Sequence, residues 1–183
     1  MTYIVTALKP EAQAFVDRYK LAKSSLGGFV VFSNANVKLI VSGLGVANAR
    51  AATQALINHY DIADEDVFLN VGICGGSRVY ELGELLEIGS ILYDSQSHSF
   101  DASEKELRCL DEEASSDEYD LVDMESFGFY DAVLHSPAIK SFHIFKVVSD
   151  HFEPRSITKE MAKSFIFNVI NDINLLIKTK DDK

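Results

Sequence analysis

Three acidic segments of this chain stand where side chains could move protons. They are Glu11, the triplet Asp123-Met124-Glu125 behind Leu121-Val122, and Ser149-Asp150 behind the apolar stretch Ser141 to Val148. A carboxyl at the end of a buried strand can have its pKa raised enough to donate a proton, while an ionised one accepts hydrogen bonds or a proton. Two glycine-bearing segments, Ser42-Gly43-Leu44-Gly45 and Gly72-Ile73-Cys74-Gly75-Gly76, would let backbone approach a ligand closely. Other chemistries are weakly represented. Cys74 has no histidine placed by spacing to activate it and reads as a small packed thiol. His59, His98, His135, His143 and His151 are scattered without metal-ligand spacing, so no metal site is expected. Gly43 to Asn48 lacks the third glycine of a dinucleotide fingerprint and does not follow the first strand, and the Walker pattern is absent.

The elements that must position these groups follow from patterning. Tyr3 to Ala7 reads as a strand. Pro10 then opens a helix through Ala14, Phe15, Leu21 and Ala22 that ends before Gly27-Gly28. Phe29 to Ser33 and Val37 to Val41 form a hairpin around Asn34-Ala35-Asn36. Val46 to Tyr60 is an alanine-rich helix, and Val67 to Val71 a strand stopped by the glycines at 72–76. Ile88 to Tyr93 is a further strand. Ser95 to Asp120 is polar, with six carboxylates between Asp111 and Asp120, and reads as a solvated loop with a short helix over Ser103 to Leu110. A helix from Met124 to about His135, a buried strand over Ser141 to Val148 and a closing helix carrying Phe165, Ile166, Val169, Ile170, Ile173, Leu176 and Ile177 complete the chain. Alternating strands and helices in one domain, residues 1–183, imply an α/β three-layer sandwich with a mixed central sheet. Open sheets of this kind bind ligands beyond the carboxyl ends of their strands. That rule selects Lys9 to Glu11, Ser42 to Gly45, Gly72 to Gly76 and Ser149 to Glu153 as the walls of one pocket.

Composition narrows the class. The 183 residues are 47% hydrophobic and 25% charged, enough for a sizeable core without staples. Seventeen basic against 28 acidic side chains give a net charge of −11, which disfavours nucleic acid and anionic membrane surfaces as partners. No apolar run approaches a membrane span, and the N-terminus lacks a signal-peptide pattern. Two cysteines fit a reducing, cytoplasmic setting.

Read in order, Thr6 to Glu11, Ser42 to Gly45, Asn70 to Gly76, Leu85 to Asp94, Val122 to Ser126 and Val147 to Asp150 resemble the nucleoside phosphorylase and nucleosidase superfamily. The resemblance is greatest to the methylthioadenosine/adenosylhomocysteine nucleosidases. It spans most of the chain except Ser95 to Asp120, where such proteins typically carry several dozen more residues. It implies a nucleoside phosphorylase-like fold, a small-molecule nucleoside as partner, a homo-oligomer of two or more copies and no cofactor. It also implies cleavage of an N-glycosidic bond, in which positive charge grows on the ribose and negative charge on the departing base.

On that resemblance Asp150 protonates a purine base with Ser149 orienting it, Glu125 accepts hydrogen bonds from the ribose hydroxyls, Met124 lies against the sugar, and Glu11 activates water. Gly72, Ile73, Cys74 and Gly75 supply the close backbone. Each carboxylate also has a plainer reading: Asp150 as a cap or turn residue, Glu125 and Asp123 as helix N-terminal charges, and Glu11 as an exposed first-turn glutamate. Phosphorylases place a serine or threonine after the first glycine and an arginine shortly before it. Here those places hold Ile73 and Asn70, which favours water as nucleophile. A phosphorylase with an atypical phosphate site and a noncatalytic nucleoside binder are the two alternatives. Lys146 stands near a family basic residue but otherwise reads as a solvated strand end.

Overall fold

The computed structural model describes residues 1–114 and 118–181. Its centre is parallel: β1 (Thr2–Thr6) pairs with β4 (Val37–Val41) on one side and β5 (Val67–Gly76) on the other, and β11 (Ser141–Asp150) runs beside β5. These four strands therefore end on one edge of the sheet. β2 (Ala22–Leu26) and β3 (Phe29–Ser33) extend the sheet antiparallel beyond β4. On the far side of β5, β10 (Leu121–Asp123), β9 (Glu106–Cys109), β7 (Ser90–Tyr93) and β8 (Gln96–Ser99) follow, while β6 (Leu85–Ile88) pairs with β11.

Helices cover both faces. α1 (Lys9–Tyr19) and α4 (Lys159–Asp181) pack together over a core of Phe15, Leu39, Phe145, Ile166 and Ile170. α2 (Val46–His59) and α3 (Ser126–Leu134) pack together over Val5, Ile40, Leu56, Phe68 and Phe129. At the α2–α3 crossing a Cβ on Gly128 would stand 2.0 Å from the Val46 carbonyl oxygen, so glycine permits the backbones to touch. The expected three-layer α/β sandwich with a mixed sheet is the observed architecture.

Several local expectations are corrected. The first helix stops at Tyr19, where Lys20 adopts the left-handed conformation (φ 55°), and Ala22 to Leu26 form a strand. Gly27 and Gly28, both at positive φ, turn a hairpin there and do not end a helix. The glycines at 72–76 do not stop β5 either. The strand continues through them, paired with β11 as far as Gly75 and with β10 at Gly75 and Gly76. None of these glycines has a positive φ, so close approach explains them. A Cβ on Gly75 would lie 3.0 Å from Val122 Cγ2, and one on Gly76 2.9 Å from Val148 Cγ1.

The strand expected over Ile88 to Tyr93 is two, broken at Gly89. No helix forms over Ser103 to Leu110; residues Glu106 to Cys109 are a strand, because Leu107 and Cys109 are buried between β7 and β10. The polar Gln96 to Ser99 is also a strand, paired at the edge with β7. The loop reading of Ser95 to Asp120 therefore fails over its first half, and residues 115–117 lie outside the described residues. Among the described residues, no helix is long and apolar enough to cross a membrane.

Candidate active site

A cavity of about 360 Å³ opens at the edge where the parallel strands end. It takes walls from all four strand-end segments: Pro10 and Glu11, Leu44, Ile73 to Gly75, and Ser149 with Asp150. Met124 and Glu125, between β10 and α3, complete the predicted set. Gly72 alone does not line the cavity. It lies under Glu11, where a Cβ would come 3.0 Å from Glu11 Oε1.

Glu11 is not an exposed first-turn glutamate, being only 2% exposed. Its Oε2 accepts from Leu8 N–H at 2.8 Å, capping α1, and its Oε1 accepts from Ile73 N–H at 2.9 Å. The carboxylate thus ties the start of α1 to the middle of β5. Burial pushes its pKa up, against the opposing pull of these two N–H donors and of Lys146.

Asp123 and Glu125 divide two tasks. Asp123 accepts from Ser126 N–H at 2.9 Å and Ser126 Oγ–H at 2.7 Å, and so ties down the start of α3. Glu125 turns instead across the cavity floor, where its Oε1 accepts from Gly45 N–H at 2.9 Å. Burial first, and the neighbouring Asp123 second, raise the Glu125 pKa to about 7. A glutamate so placed is poised between acid and carboxylate near neutral pH.

Lys146 corrects the reading of a solvated strand end. It is 1% exposed, and its Nζ lies 2.8 Å from Asp123 Oδ2. Burial alone would lower its pKa, but Asp123, Glu125 and Glu11 together raise it, so the ammonium persists. The buried group is one cation among three carboxylates. The sequence signal was available: a lysine inside the apolar run Phe142 to Val148 is buried only if paired.

Asp150 sits at the end of β11. Its Oδ1 accepts from Glu153 N–H at 2.8 Å, so the turn role is realised. The turn places Phe152 at φ 63°, a conformation rare for a bulky residue, with Phe152 in the cavity wall. Asp150 Oδ2 lies 2.7 Å from Ser149 Oγ, which is also 3.1 Å from the Cys74 carbonyl oxygen. One hydroxyl hydrogen serves only one of these acceptors at a time.

Burial pushes the Cys74 thiol well above its ordinary value, so it is not a ready nucleophile. Sequence reasoning missed the outer walls. Pro154, Ile157, Thr158 and Ala162 come from the approach to α4, and Leu110 with Glu112 to Ala114 from the chain after β9. These segments carry no motif; only the tertiary fold brings them over the strand ends.

No protein-family model matches this chain, and no curated protein matches it. Solved structures do. A 5'-methylthioadenosine/S-adenosylhomocysteine nucleosidase of Helicobacter pylori, in complex with butyl-thio-DADMe-Immucillin-A, superposes with a TM-score of 0.77 at 12% identity, covering 97% of each chain. The fold is that of the methylthioadenosine/adenosylhomocysteine nucleosidases. An Arabidopsis thaliana 5'-methylthioadenosine nucleosidase matches this nucleosidase fold at TM-score 0.74 and 16% identity, covering 94% of this chain and 95% of its own. A futalosine hydrolase of Helicobacter pylori shares it at TM-score 0.73 and 13% identity, over 93% and 97%.

Proposed function

We propose that this chain is a nucleosidase that hydrolyses the N-glycosidic bond of a purine nucleoside bearing an apolar 5' group, of the methylthioadenosine or adenosylhomocysteine class. The observation that carries the reading is the convergence of Glu11, Glu125 and Asp150 on one cavity at the ends of parallel strands. Cleavage of this bond needs an acid at the base, an acceptor for the sugar hydroxyls and an aimed water. In this reading Asp150 is the acid. When Ser149 donates to Cys74 O, its oxygen accepts from a protonated Asp150, so the same pair that holds the carboxylate also holds the acid. Glu125 receives the ribose hydroxyls in its ionised form. Glu11, fixed by two backbone N–H groups, takes a proton from water. Met124 packs on the sugar.

The charge of the lining supports water over phosphate. Glu11, Glu112, Glu113, Asp123, Glu125 and Asp150 face the cavity, against Lys159 among its described basic residues. Lys146 is already paired with Asp123. Such a field opposes an entering phosphate and a 5'-phosphorylated substrate alike. The apolar wall of Leu8, Pro10, Leu44, Phe152 and Ile157 suits an alkylthio group.

The test is release of free base from methylthioadenosine, adenosylhomocysteine, adenosine, inosine and adenosine monophosphate, each with and without phosphate. The expected result is phosphate-independent release from the alkylthio nucleosides and none from the monophosphate. Release that requires phosphate would move the protein to the phosphorylases, and no release with tight binding would make it a nucleoside binder.

A further inference from the structure

A second constellation, unused by the nucleosidase reading, joins one histidine and two carboxylates. Glu87 of β6, Asp101 in the segment after β8 and His143 of β11 each offer a ligand atom, and these atoms lie within 4.8 Å of one another. His143 is buried, 8% exposed, with its Nδ1 3.3 Å from Glu87 Oε1. The three residues belong to separate elements, so no spacing in the sequence announces them.

The backbone is built to bring them together. Glu87 pairs with Phe145 across the antiparallel β6–β11 ladder, which puts it on the same sheet face as His143, two residues away. Asp101 arrives because the chain after β8 folds back over Gly89. Phe100 N–H and Asp101 N–H both donate to Gly89 O, at 2.9 and 3.2 Å, and Gly89 N–H donates to Lys105 O at 3.0 Å. Ser103 Oγ donates to the Glu87 carbonyl at 2.7 Å, and Asp101 Oδ1 accepts from Ser103 N–H at 3.1 Å. A Cβ on Gly89 would stand 1.9 Å from Ser103 O, so the clamp that delivers Asp101 requires glycine at 89.

We infer that Glu87, Asp101 and His143 form a binding site for one divalent transition-metal ion of the Zn²⁺ class. Two carboxylates and a neutral imidazole balance a dication, and the mixed nitrogen and oxygen donors suit a borderline ion better than Ca²⁺ or Mg²⁺, which take oxygen. Two donors each about 2.0–2.1 Å from a tetrahedral ion stand roughly 3.3–3.4 Å apart, the spacing of His143 and Glu87. Three protein ligands leave the fourth position to water. The site is separate from the nucleoside cavity: His143 precedes Asp150 by about 23 Å of extended strand at ~3.3 Å per residue.

The test uses the full chain, stripped of metal by a chelator and free of any affinity tag. Zn²⁺ is titrated in competition with a chromophoric chelator, and Co²⁺ binding is followed by its visible spectrum. One ion per chain is expected, with an affinity reduced about tenfold or more in each of Glu87→Gln, Asp101→Asn and His143→Gln, and unchanged in Asp150→Asn. The conservative Asp101→Asn and Glu87→Gln variants carry the test if His143→Gln fails to fold, as judged by circular dichroism without metal. Absence of saturable binding, or binding that survives the carboxylate variants, would overturn the site and leave His143 as a buried histidine beside Glu87.

Discussion

Replacing Lys146 with methionine removes the cation from the buried group beneath the cavity while keeping an unbranched chain of similar length. Lys146 and Asp123 have side chains 1% exposed and meet at 2.8 Å, so a charge left behind by the loss of its partner is poorly solvated. Breaking a buried pair from one side costs about 3–5 kcal/mol, because the remaining charge stays buried without compensation. For a chain of this size each kcal/mol moves the thermal midpoint by about 2–4 °C, which gives a fall of roughly 6–20 °C. The loss is expected in urea denaturation at pH 7 with an unchanged slope. Lys146 also holds the Glu125 pKa down, so Glu125 in the variant titrates above its value of about 7. Adding Asp123→Asn to Lys146→Met restores most of the stability, since asparagine still accepts from Ser126 and carries no charge. A single-variant loss below about 1 kcal/mol, or a double variant no more stable than the single, would refute the reasoning that the pair neutralises the floor of the site.

Three further outcomes follow from the same geometry. The folded Glu125 pKa of about 7 lies above the ordinary 4.5, so the fold favours its protonated form. The stability it contributes, about 3 kcal/mol, is fully present below pH 4.5 and is lost as pH rises through 7. Urea stability compared at pH 5 and pH 8 should show this loss in the wild type and not in Glu125→Gln; equal pH dependence in both contradicts the assignment. Glu11→Gln presents an amide NH₂ to one of the two N–H donors that the carboxylate now satisfies, and should cost about 1–3 kcal/mol by chemical denaturation as well as activity. Gly128→Ala drives a Cβ to within 2.0 Å of Val46 O at the α2–α3 crossing; thermal unfolding should register a loss of at least about 1–3 kcal/mol.

What could be read from the sequence was whatever rests on local chemistry or strong burial. The β3–β4 hairpin was legible because Asn34 turns it: its Oδ1 accepts from Asn36 and Val37 N–H. The parallel strands were legible as apolar runs, and the acidic residues at or just past the ends of β1, β10 and β11 gave Glu11, Glu125 and Asp150 together. β2 was hidden because Ala22 to Ser25 are exposed on both faces and carry no alternation. β9 was hidden within a polar stretch, where only Leu107 and Cys109 mark the buried side. The Lys146–Asp123 pair and the Glu87–Asp101–His143 cluster join residues of different strands, and no period of a single element can announce them.

The most direct measurement is a reaction with methylthioadenosine in ¹⁸O-labelled water without phosphate, run with wild type and with Asp150→Asn. Adenine and methylthioribose should appear in equal amounts, with the label at the anomeric hydroxyl of the sugar, and the Asp150→Asn rate should fall by at least about 100-fold. Unlabelled sugar, no cleavage at all, or cleavage that persists in Asp150→Asn would contradict the account of an acid at the base and a water aimed at the sugar.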